Sequence, residues 1–180
     1  MELLKVLQNE IDLIQDEEIR EFVIKFLNEV PEYFWTIPAS ASGKYHPQYA
    51  LGEGGLVRHV KATIMIANEL LKLDVYKNLI GQKDYIIAAL LLHDTYKHGQ
   101  IDEGYTKPDH ANLAYRALQN KHTGFKIQDI AWLVLTHMGQ WNTDREGNVV
   151  APTPTTEAQK FVHLCDYLAS RKFLEVNFEE

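Results

Sequence analysis

Six side chains in this sequence form a set suited to holding metal ions: His59, the adjacent pair His93 and Asp94, His110, His137 and Asp166. Imidazole nitrogens mixed with carboxylate oxygens suit borderline divalent cations such as Mn, Fe, Co, Ni and Zn, whereas Mg and Ca favour shells of oxygen alone. Taken one at a time, each histidine reads as a packed or solvated side chain. The setting of the adjacent pair argues otherwise. His93 and Asp94 follow the run YIIAALLL, which is apolar nearly all round and therefore belongs to a buried helix. A lone carboxylate in such a place is costly or takes up a proton, and a cation removes that penalty.

The apolar pattern indicates which elements bring the set together. Leu3, Leu4, Leu7, Ile11 and Ile14, then Ile19, Phe22, Val23 and Phe26, recur at helical spacing and predict N-terminal helices over residues 1–30, closed by Pro31. The segment PASASGKYHPQYALGEGG at 38–55 has two prolines and four glycines and predicts a long loop over 31–55. Loops of that length inside compact domains are often functional. Val60, Ile64, Ala67 and Leu71 predict a helix from residue 56 with His59 near its start. Asp84 is placed to cap the helix that delivers His93 and Asp94 near its end. Pro108 suits the first turn of the next helix, with Asp109 and His110 just inside it. Residues 127–137 predict a further helix ending at His137, and Thr155 or Thr156 caps the last one, which carries Asp166. With no alternating strand pattern, the expectation is an all-α, single-domain helical bundle over residues 1–180, its metal-binding core at 56–172.

Composition narrows the partners. The 180 residues are 46% hydrophobic and carry a formal net charge of -7, so no basic footprint marks a site for duplex nucleic acid. A small anionic partner suits the chain better than a long polyanion. The one cysteine, Cys165, forms no disulfide within the chain. The N-terminal sequence is acidic and lacks the pattern of a signal peptide, and the most apolar run, residues 85–92, is too short to span a bilayer. These features predict a cytoplasmic protein without membrane partners.

The order H…HD…H…H…D over about residues 55–172 resembles that of the HD-domain metal-dependent phosphohydrolase superfamily. Two local segments sharpen the likeness. GGLVRHV at 54–60 is similar to a GGLLEHT-type signature, and LLHDTYKHG at 91–99 to an LLHDxGK signature, with Tyr96 where many members have glycine and Lys97 retained. The resemblance implies that His59, His93, Asp94 and Asp166 hold one metal. It further implies that His110 and His137 hold a second, with Asp94 bridging the pair. It also implies that Lys97 meets substrate phosphate, a role that a compact ammonium fits. PASASGKYHP resembles a Pro-Ala…His segment that precedes the HD region of some bacterial 3'-5' exoribonucleases, although their nucleic-acid-binding domain has no counterpart here.

The expected function is hydrolysis of a phosphate ester or anhydride of a nucleotide or similar small molecule by water that the metals activate, with Asp94 and Lys97 catalytic. Arg58 and His46 are further candidates for contacting substrate from the loop side. The alternatives are an exonuclease-like phosphodiesterase on short oligonucleotides, a di-iron oxygenase of the HD type, and a nucleotide-binding domain without turnover. His98, His122 and His163 read as packed or solvated, Trp141 as cover for the core edge, and Cys165 as a small hydrophobe.

Overall fold

The computed structural model describes residues 3–40, 43–121 and 124–173; His122 lies outside them. The chain opens with a 3-10 turn, Leu3–Leu7, that runs into α1 (Gln8–Ile11), followed by α2 (Glu17–Leu27). Two short 3-10 helices, Glu32–Trp35 and Gln48–Ala50, lie within the predicted loop. Then come α3 (Gly55–Leu70), a nine-residue 3-10 stretch (Asp74–Gln82), and α4 (Lys83–Leu92). Three more helices complete the fold: α5 (His110–Lys121), α6 (Phe125–Leu135) and α7 (Glu157–Ala169). The fold is all-α; among the described residues extended pairing is limited to one isolated bridge, Thr143 with Val149.

The centre of the bundle is α4. Every residue from Ile86 to Leu92 is buried, as a helix without a polar face requires, and α1, α2, α3, α6 and α7 pack around it. Full burial of each Leu or Ile there is worth about 1.5–3 kcal/mol. Phe26, Phe34 and Phe161, from three different segments, fill the same core. Among the described residues no helix is long and apolar enough to cross a membrane.

Two local readings are corrected. Asp84 does not cap α4, which starts one residue earlier; its carboxylate accepts the backbone N–H groups of Gln15 at 3.1 Å and Asp16 at 2.7 Å and so fixes the turn between α1 and α2. The α5 helix begins at His110, with Pro108 and Asp109 in the turn before it. The expected cap of α7 is present, Thr156 forming a reciprocal capping box with Gln159, and α2 is capped by Asp16, whose side chain accepts from Ile19 N.

Candidate metal centre

The first histidine is positioned by a backbone clamp. No side chain caps α3; instead Leu56 N donates to Ile37 O at 2.9 Å and Gly54 N to Thr36 O at 2.8 Å, so loop carbonyls satisfy N–H groups at the helix start. Gly55 admits no side chain, because a Cβ there would overlap the Ala50 carbonyl and crowd Pro38. The glycines of the GGLVRHV segment therefore let the loop lie directly on α3. Arg58 completes the clamp, donating from Nε to Tyr49 O at 2.6 Å and from Nη2 to Leu51 O at 2.9 Å. The structure thus places Arg58 against the loop backbone and not among the residues lining the cleft, contrary to its expected contact with substrate.

The six candidate ligands, spaced over more than a hundred residues, converge on one point. His59 Nε2 lies 3.0 Å from Asp166 Oδ1 and 3.9 Å from Asp94 Oδ2. His93 Nε2 lies 3.6 Å from Asp94 Oδ2 and 3.7 Å from Asp166 Oδ1. On the other side, Asp94 Oδ1 faces His110 Nε2 at 3.1 Å and His137 Nε2 at 3.7 Å. Each oxygen of Asp94 thus addresses a different pair of imidazoles. His59, His93 and Asp94 form one buried group that could hold an ion, and Asp94, His110 and His137 form another.

Three of the rings are oriented in the same way. Nδ1 of His93, His110 and His137 meets the carbonyl three residues back, Leu90 O at 2.8 Å, Lys107 O at 2.8 Å and Val134 O at 2.7 Å. A carbonyl only accepts, so Nδ1 carries the hydrogen and Nε2 of each neutral ring turns a lone pair inward. Nε2 of His110 and Nε2 of His137 then face each other at 3.1 Å, lone pair to lone pair. Buried Nε2 of His93 and Oδ1 of Asp94 have no hydrogen-bond partner among the described residues. Cations between these donors would relieve both the facing lone pairs and the unpartnered atoms, so the residues fit a metal pair.

The charge balance points the same way. Burial opposes ionisation of Asp94, but the Lys97 ammonium at 2.5 Å, His93 and His110 outweigh it and hold the carboxyl well below its usual range. Asp166 is likewise held low against its burial by the hydrogen bond from His59 and by the nearby His93. Burial, then the neighbouring His93 and His110, push His137 down to about 3. His93, in contrast, is raised despite its burial by Asp94 and Asp166, and a cation would take the place of that proton, since ionised carboxylates and neutral imidazole are the forms that bind metal.

Lys97 sits in the turn after α4, which a tyrosine from the N-terminal region secures: Tyr33 OH donates to Gly99 O at 2.5 Å and accepts from His98 N at 3.1 Å. The His98 ring stacks on Tyr33 and pairs with Asp102 at 2.6 Å. Tyr96, the departure from the glycine of the signature, is buried with its ring edge-on to Phe26, away from the site. Above the ligands is a cleft of about 160 Å³ whose wall includes His46, Lys97, Trp141 and Ser170. The His46 and His59 ring centroids are 5.7 Å apart, so the loop histidine does reach the site. Trp141 is not cover for the core; it is 48% exposed and stands at the mouth of this cleft. A larger cavity of about 640 Å³ beside Tyr85, Asp129 and Trp132 has no histidine in its lining. One contact went unforeseen: His163 Nδ1 donates to His137 O at 2.7 Å. Its position three residues before Asp166 on α7 was the available signal.

Comparison with known proteins agrees with this geometry. The family model of the HD domain matches residues 56–171. The chain belongs to the HD domain family. Within it, this HD-domain protein is 32% identical over 159 residues to dihydroneopterin 2',3'-cyclic phosphate phosphodiesterase of Methanocaldococcus jannaschii. The match covers 77% of this chain and 60% of that relative, so this HD-domain chain spans about three fifths of the relative's length. No solved structure matches it.

Proposed function

We propose that this HD-domain protein is a metal-dependent phosphohydrolase of a small phosphorylated molecule, a cyclic phosphodiester or phosphomonoester of the nucleotide kind. The observation that carries this reading is Asp94, a buried carboxylate with one oxygen toward each pair of histidines and an ammonium against it. His59, His93, Asp94 and Asp166 would hold one divalent transition ion (Mn, Fe, Co, Ni or Zn), and Asp94, His110 and His137 a second. When bound, such ions acidify water and draw charge from phosphoryl oxygens.

The chain's own residues account for the rest. Lys97 lines the cleft with its ammonium anchored on Asp94 Oδ2, which leaves hydrogens to meet a phosphate oxygen. His46 presents a ring to the same cleft from the clamped loop and can meet an ester oxygen. The backbone carbonyls behind His93, His110 and His137 keep those rings in one tautomer throughout. A cleft of about 160 Å³ admits a phosphoryl group and little more, which favours small esters over a duplex. The relative acts, by its name, on a pterin cyclic phosphate, and a cyclic phosphate of a small molecule is accordingly the first substrate to offer.

The test is elemental analysis of the purified protein followed by product detection on a panel of phosphate esters with Mn, Fe, Co, Ni, Zn or Mg added. Close to two transition-metal equivalents and metal-dependent ester hydrolysis are expected. Metal without hydrolysis, accompanied by oxygen consumption when iron is added, would replace this reading with an oxygenase.

A further inference from the structure

The rim of the cleft carries side chains that hydrolysis itself does not use. The Trp141 indole lines the cleft and stacks on Tyr167, centroids 5.3 Å apart and planes 9° from parallel. The Arg171 guanidinium lies 4.5 Å from the Tyr167 ring centroid, 5.9 Å from that of Trp141 and 5.7 Å from that of Tyr45. It is held in plane by Ser170 Oγ, which accepts from Nε at 3.3 Å and Nη2 at 2.9 Å. Among the described residues neither an acceptor for Nη1 nor a carboxylate partner is present for Arg171. Three rings and a guanidinium with free donors are therefore gathered in one cluster, which meets the phosphate-sized cleft through Trp141.

Physical reasons connect this rim to the substrate. If the phosphoryl group occupies the floor, the volume of about 160 Å³ leaves the remainder of the ester outside, where Trp141 and Ser170 form the wall. An indole already aligned by Tyr167 offers a flat, half-exposed apolar face at low entropic cost. Rings stack on such faces, and a guanidinium edge is matched to adjacent acceptors such as the carbonyl oxygen and ring nitrogen of a heterocycle.

We infer that Trp141, Tyr167 and Arg171 form a subsite for a planar heteroaromatic ring, which stacks on Trp141 while Arg171 meets acceptors on its edge. This subsite makes the enzyme selective for phosphate esters that carry such a ring. The inference rests on the phosphohydrolase reading for the placement of the phosphate, and the ring itself can be tested separately.

The experiment compares guanosine 2',3'-cyclic phosphate with glycerol 1,2-cyclic phosphate, which has the same reacting group and no ring, on the metal-loaded full chain. The ratio of their kcat/KM values is expected to favour the ring-bearing probe, and Trp141→Ala to lower that ratio by about 5- to 150-fold, the range for loss of one stacked base. Trp141→Phe keeps a ring and retains most of the ratio, and Arg171→Gln lowers it without changing Tm. A wild-type ratio near one, or a Trp141→Ala effect equal on both probes, overturns the subsite. If neither probe is hydrolysed, the hydrolase reading fails while the subsite is still decided by equilibrium dialysis of guanosine. Saturable binding weakened in Trp141→Ala upholds it, and absent or unchanged binding overturns it.

Discussion

His163 and Gly139 are in contact so close that a Cβ on the glycine would overlap the imidazole ring, while the same ring donates from Nδ1 to the His137 carbonyl. The turn after α6, which follows a candidate ligand, is thereby fastened to α7, which carries another. Gly139 also has φ of +59°, which a side chain resists. Gly139→Ala is expected to destabilise the protein by about 1–3 kcal/mol. In a His163→Ala background the same change should cost less, since the overlap is gone. Thermal melts of the two single variants and the double variant provide the cycle, and strictly additive costs would show that the contact is not the cause.

Asp94 faces both histidine pairs, so Asp94→Asn, which preserves shape and removes charge, should empty both candidate positions together. Circular dichroism should show the helices intact, because the core around α4 is untouched. Retention of two metal equivalents by this variant would remove Asp94 from the centre.

Lys97→Met is expected to keep the metal and lose catalysis. Removing one preorganised donor to a developing charge typically costs about 10²- to 10³-fold in kcat. Metal content measured alongside turnover separates this role from a purely structural one, and unchanged kcat with metal retained would take Lys97 out of the reaction.

The Asp16 carboxyl is held below its ordinary value of 3.8 by its hydrogen bond to Lys126 and by the N–H of Ile19 that it caps. A group depressed in the folded state adds stability above its unfolded pKa and loses it as pH falls through the folded value. Asp16→Asn keeps the cap and removes the charge, so it should lower Tm at pH 7. The gap to the wild type should close as pH falls below 3.8. A gap that persists in acid would mean that the charge was not its source.

Sequence legibility tracked periodicity and donor chemistry. His93 and Asp94 stood out because a helix apolar on every side has no ordinary use for them, and the structure buries both at the convergence of the six residues. The helices bearing His59, His110 and Asp166 could be drawn from three- and four-residue spacings, as could α6, although it ends at Leu135 and leaves His137 in the turn that follows and not at the helix end expected. What failed depended on contacts between distant segments. Asp84 stands beside a helix start, yet its carboxylate serves a turn nearly seventy residues away. Arg58 adjoins a ligand but turns to the loop, because on a helix consecutive side chains diverge by about 100°. The 3-10 stretch Asp74–Gln82 buries only Leu79, too little apolar pattern to be read in advance. Trp141 reads from sequence as cover for the core edge because indoles are large and apolar, whereas Tyr167 and Arg171 give it a stacked place at the surface.

The family match begins at residue 56, but the packing does not. Leu7, Ile11, Phe22, Phe26 and Phe34 belong to the same apolar cluster as α4, and Tyr33 secures the turn that presents Lys97. The boundary of similarity is therefore not a boundary of cooperative folding. A fragment cut at residue 56 would strip one wall from the central helix and leave an aggregation-prone remnant, so dissection of this protein into a minimal enzyme has to keep the N-terminal segment as part of its scaffold.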